Sequence, residues 1–304
     1  MSIQKKIVGA LLLAAFLAAC NQQPALDEQP LPATIEDLPV LETLSIAPDN
    51  AQTRGAPGYN ITLNIIPGTP QSVRNALSSA VSRWQRAITG DLPDVTGTIP
   101  ANSCGNNPAF SGTIDDLLVF SGSQSIDGAG GTLAQSGPCF VRTANGLTIA
   151  SVLIFDSADL TQFASQLSAI AVHELGHSVG IGTLWSSKGL LRGAGTTNPR
   201  FVGAGAVREW RALGGSGSVP VENTGGPGTR DGHWRESVFN NELMTGFINA
   251  GTNPLSRMSI ASLSDLGYGV NLNAADAYSL PTNRAAIEAF ELNEQLIMPS
   301  ARVR

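Results

Sequence analysis

Only three histidines occur in 304 residues, and two of them stand four apart in His173-Glu174-Leu175-Gly176-His177. Four residues is one turn of an α-helix, so on a helix the two imidazoles leave the same face and can grip a single ion. The fold must therefore carry a helix to this point and bring further donors to it from elsewhere in the chain. Glu174, beside the first imidazole, has the carboxylate needed to take a proton from a water held at that ion, which is the pattern of a hydrolytic zinc site. Such a site needs three protein ligands and an open fourth position. In the compact arrangement the third His lies six residues past the second, but position 183 is Thr, so a donor further along must complete the set.

The hydrophobic pattern predicts how that helix is framed. Ile61, Leu63 and Ile65 alternate with Thr62 and Asn64 as in a half-buried strand. Val73, Ala76, Leu77, Ala80, Val81, Trp84 and Ile88 recur at steps of three and four between Pro70 and Gly90, giving a helix with one apolar stripe. Strand-like runs follow at Ile114 to Phe120, Cys139 to Arg142 and Leu147 to Phe155. The last of these, just ahead of the His pair, is the expected edge on which an extended peptide would pair its backbone. The active helix itself is expected from Asp159 or Leu160 to Val179, with Asp156, Ser157 and Asp159 as candidate caps and Gly180 as its stop. Residues 182 to 232 are Gly-rich and read as an irregular insertion. A short helix from Leu255 to Leu266 with Ser256 as N-cap comes next, then a peripheral helix through Ile287, Phe290 and Leu296.

The order His173-Glu174-Leu175-Gly176-His177-Ser178-Val179-Gly180, a long insertion, His233-Trp234, then Asn241-Glu242-Leu243-Met244-Thr245-Gly246-Phe247 resembles a leishmanolysin-type metallopeptidase of the metzincin clan. The similarity spans residues 160 to 270. It implies an α+β zincin with a twisted, mostly parallel sheet, an active-site helix and a smaller irregular C-terminal subdomain. On that division residues 58–181 form the N-terminal catalytic subdomain and residues 182–304 the C-terminal one. It also implies His173, His177 and His233 as zinc ligands, Glu174 as general base and Met244 as the residue of a turn beneath the ion. Read from the residues alone, Asp231, Glu209, Glu222 and Glu236 remain alternatives to His233, since carboxylates serve in related zinc sites. One departure concerns the oxyanion: some metzincins use a Tyr soon after the Met, whereas Phe247 stands here and the nearest Tyr is Tyr268. The stretch Asp127-Gly128-Ala129-Gly130-Gly131 lacks the ordered carboxylates of a calcium loop and reads as a turn.

The N-terminus adds a location. Lys5-Lys6, an apolar run from Ile7 to Ala19 and Leu17-Ala18-Ala19-Cys20 read as an export signal over residues 1–20, whose ending resembles a bacterial lipobox. Cleavage there would leave Cys20 as a lipidated N-terminus on a membrane surface, facing periplasm or cell exterior, with the Pro-rich residues 21–57 as tether. In an oxidising compartment the two remaining cysteines, Cys104 and Cys139, are expected to pair. The formal charge is -6, and without Lys5 and Lys6 there remain 16 basic against 24 acidic residues, which disfavours nucleic acid as a partner. The expected function is zinc-dependent cleavage of protein or peptide substrates. The reading from another class is a surface lipoprotein that binds a partner and keeps its zinc for structure.

Overall fold

In the computed structural model the described residues are 44–46, 58–249, 251–281 and 289–303. The expected signal over residues 1–20, Cys20 and all of the tether except 44–46 lie outside them. The chain enters through β1 (Leu44–Ile46) and β2 (Ile61–Ile65), then α1 (Gln71–Ala87), β3 (Val95–Ile99), β4 (Phe110–Ile114), β5 (Leu117–Gln124), β6 (Ala134–Arg142) and β7 (Thr148–Asp156). The helix of the His pair is α2 (Leu167–Val179). After it come β8 (Leu191–Arg192), β9 (Arg200–Phe201), α3 (Ala204–Ala212), β10 (Val219–Pro220), α4 (Glu236–Phe239), β11 (Phe247–Asn249) and α5 (Arg257–Leu266). Three short strands follow: β12 (Ala289–Glu291), β13 (Glu294–Leu296) and β14 (Ala301–Val303).

The central sheet runs in the order β13-β6-β7-β5-β2, with β14 also on β6. Pairing is parallel throughout except between β6 and β7. Period-two alternation in its strands serves two cores. Leu117, Val119, Leu153 and Phe155 face α1 and α2, while Leu118, Phe120, Val152 and Ile154 face the small β1-β3-β4 sheet through Val95, Ile99 and Ile114. Cys104 and Cys139 are joined by a disulfide inside that second core, as expected of the two cysteines that remain beside Cys20. The mixed α+β class and the mostly parallel sheet agree with the sequence reading.

Several expectations change. The run Leu147 to Phe155 is not an edge: β7 is paired on both sides, by β5 and β6, and the strand beyond it is β6. The active helix begins at Leu167, and the residues ahead of it are turns with no side-chain cap at Gln166. The carboxylates expected to cap it hold the preceding loop instead. Asp156 accepts from the amides of Ile126, Asp127, Gly128 and Ala158, and Asp159 accepts from Gly130. Between residues 182 and 232 the chain is less irregular than its glycines suggest, because Ala206 and Trp210 put one face of α3 into the main core. The last expected helix is replaced by β12 and β13 where it is described; Ile287 lies outside the described residues.

Candidate metal centre

Around the His pair α2 is buried all round, with His173, Glu174 and His177 inaccessible and Gly176 buried. Trp84 of α1 anchors it by donating its indole N–H to the Val172 carbonyl at 2.8 Å. Gly176 permits the closest approach: a β-carbon there would stand 2.9 Å from both Sδ and Cε of Met244 and 3.0 Å from the Trp84 ring. Beyond the second imidazole Gly180 takes φ +122, a conformation other residues rarely adopt, and the helix ends. Thr183, standing where the compact arrangement would have its third His, donates its hydroxyl to the His177 carbonyl at 2.8 Å.

The facing half has little regular structure, and buried carboxylates organise it. Glu222 accepts from the amides of Asn223, Thr224 and Glu236 and the Thr224 hydroxyl, while its own amide donates to the His233 carbonyl at 2.9 Å. Burial would raise its pKa, but these donors outweigh that and hold it below the ordinary glutamate value. Glu242 accepts from the Met244 amide at 2.7 Å and, on its other oxygen, from the amide and hydroxyl of Ser256 and the hydroxyl of Ser259. Met244, fully buried, thereby sits in a fixed turn under α2, and its carbonyl accepts from the Trp234 amide at 3.0 Å.

These two halves bring three Nε2 atoms together, 3.1 Å apart for His173 and His233 and 2.9 Å for the other two pairs. Each opposite ring nitrogen meets a backbone carbonyl: His173 Nδ1 at Leu243 (2.7 Å), His177 Nδ1 at Ile181 (2.8 Å) and His233 Nδ1 at Thr229 (2.9 Å). A carbonyl only accepts, so each Nδ1 carries a proton and, in the neutral ring, each Nε2 presents a lone pair. Glu294 of β13 adds carboxylate oxygens, 2.7 Å from His233 Nε2 and 3.4 and 3.5 Å from those of His173 and His177. Lone pairs crowded this closely in a buried space are stable around a cation, and His173, His177, His233 and Glu294 form a group that could hold one metal ion. Among the described residues neither oxygen of Glu174 has a hydrogen-bond donor. Burial first, then the neighbouring Glu294, push its pKa well above the ordinary value. Burial acts the same way on Glu294, but the imidazoles reverse it and hold that carboxyl well below its usual range. His177 is pushed down, chiefly by burial. In His233 burial is outweighed by Glu294 and the pKa rises.

The sequence-expected residues His173, Glu174, His177 and His233 thus converge, with Met244 beneath them. The carboxylates weighed against His233 are elsewhere engaged: Glu209 with Arg208 and Arg257, Asp231 with the Gly195 amide, and Glu222 as described. Glu236 has its pKa raised to about 7, first by burial, and belongs to the same loop scaffold. Tyr268 donates to the Val179 carbonyl at 2.9 Å, which commits its hydroxyl to the core, and Asp127 ties a plain turn to Thr132. Glu294 is the donor that sequence reasoning missed. Its signal was alternation: Leu292 and Glu294 share a buried face between exposed Glu291, Asn293 and Gln295, a strand with an acid on its inner side.

The family model of leishmanolysin matches residues 59–287, about three quarters of the chain. No curated protein sequence matches it.

Proposed function

The chain belongs to the leishmanolysin family and is a metalloendopeptidase; from that premise we propose that its ion is zinc, held by His173, His177 and His233, and that Glu174 is the general base. The observation that carries this reading is the convergence of three Nε2 atoms beside a buried carboxylate that has no donor among the described residues. An all-imidazole set with borderline-soft nitrogen donors suits zinc. When bound, zinc supplies Lewis acidity, acidifying a water and polarising the scissile carbonyl.

The chain's own groups do the rest. The three Nδ1 bonds to Leu243, Ile181 and Thr229 fix ring orientation and select the tautomer whose neutral ring turns its Nε2 lone pair to the ion. Glu174, raised in pKa by burial, takes a proton from the attacking water at its carboxylate and returns it to the departing amine nitrogen. The two atoms of Met244 against Gly176 hold α2 at a fixed height over the turn, which sets the distance between the His pair and His233. Export with a lipid on Cys20 places this activity at a membrane surface, and mass analysis of the N-terminal peptide would read the modification.

Glu174→Gln keeps the metal and loses casein cleavage by about 10²-fold or more. Unchanged cleavage would remove Glu174 from the mechanism. 1,10-Phenanthroline should abolish activity and added zinc should restore it. The partner-binding reading draws on one observation, since Glu294 supplies a fourth protein donor as a structural ion would require. A structural ion gives no reason for Glu174 beside it.

A further inference from the structure

Residues 289–303 lie beyond those the family model matches, yet residues 289–297 run past the His cluster, while β14 is seated in the second core. Resting on the peptidase reading above, we propose that residues 289–297 are a built-in pseudosubstrate, lying between β6 and β11 and closing the fourth metal position with the Glu294 carboxylate. On one side it pairs with β6, Glu294 opposite Ala134 and Leu296 opposite Ser136, extended by the Ile297 amide to the Ser136 carbonyl at 2.8 Å. On the other, β12 pairs with β11, and the Leu292 amide donates to the Gly246 carbonyl at 3.0 Å. A backbone hydrogen-bonded on both flanks with one side chain turned onto the catalytic groups is the posture of a bound peptide.

Three glycines make the track. A β-carbon on Gly137 would overlap the Ile297 carbonyl, one on Gly228 the Glu294 carbonyl, and one on Gly232 the Leu296 side chain. The consequence for chemistry is direct. His173, His177, His233 and Glu174 are all inaccessible, and the carboxylate facing Glu174 stands among the imidazoles where a water and a scissile carbonyl would need to be. The hold is also releasable. β12 and β13 are three residues each, and β13 joins β6 in parallel, the slightly weaker mode of pairing. Displacing β12 and β13 bares the Ala134–Ser136 end of β6 as the edge on which an extended polypeptide can pair, with β14 left on Phe140 to Arg142.

The test uses the purified full chain loaded with Co²⁺ in place of zinc, with acetohydroxamate as a probe of an open metal position. In Glu294→Ala the visible cobalt band should shift on adding the probe, whereas the wild type should need about tenfold more probe for the same shift. Casein cleavage by the zinc form should rise about tenfold, the gain expected if the wild-type segment is open roughly a tenth of the time. Leu296→Asp, which loosens the segment at Gly232 and leaves Glu294 in place, should move both readouts the same way, and it carries the comparison should Glu294→Ala not fold. Equal probe response and equal cleavage in wild type and both variants would overturn the proposal. Loss of cobalt binding in Glu294→Ala would also overturn it, by making Glu294 an obligatory ligand. A stronger probe response in the variants, with no casein cleavage in any form, would uphold the closing role of Glu294 and refute the peptidase reading instead.

Discussion

His173 and His177 are placed by apolar packing, whereas His233 and Met244 are placed by hydrogen bonds to buried carboxylates. On the first side α2 rests on α1 and on the sheet through Ile170, Ala171, Leu175 and Val179, and one glycine sets its height. On the second, Glu222 and Glu242 each gather several amides and hydroxyls to hold an irregular chain in one shape. Non-directional burial suffices where a helix already fixes the relative positions of two ligands. A loop has no such internal ruler, and only directional bonds with satisfied partners can fix it.

That contrast can be broken from either side. The largest stability effect is expected at Glu242→Ala, which leaves the amides of Met244 and Ser256 without acceptors and costs about 3 kcal/mol, lowering Tm by roughly 6–12 °C. A thermal melt and a zinc titration should move together, because the turn carries the carbonyl that orients His173. Were the melt to fall with zinc affinity intact, the turn would not be what positions the site. Gly176→Ala probes the packed side: its methyl meets Met244 and Trp84, and overpacking of this kind costs about 1–3 kcal/mol by denaturant unfolding. Pairing it with a shorter residue at position 244 should recover part of the loss, and failure to recover would argue that Met244 is not the obstacle. Ser256→Ala is the mildest, removing the N-cap of α5 and one donor to Glu242 for about 1 kcal/mol.

The same contrast explains what the sequence disclosed. Strand β2 and helix α1 were legible because Ile61, Leu63 and Ile65, then Val73 through Trp84, carry clean periods of two and of three to four. The His pair was legible because one helical turn is a local ruler. His233 needed the family resemblance, since nothing within its own neighbourhood shows that residues 56 positions apart will meet. The start of α2 was misjudged because Asp156 and Asp159 look like caps, and only the fold reveals that a loop some thirty residues upstream claims them. The edge was misjudged because β7 is as apolar as a buried central strand should be, and its run carries no mark of what pairs beside it. Glu294 was missed because the spacing of Ile287, Phe290 and Leu296 was given a helical period, which scatters the inner face that a strand period would have gathered.

Three imidazoles share one ion across that divide. Zinc content after exhaustive dialysis, measured on wild type and His233→Ala, addresses this most directly. One zinc per wild-type chain and a large loss in the variant is the predicted result; a full equivalent retained without the His233 ring would contradict it.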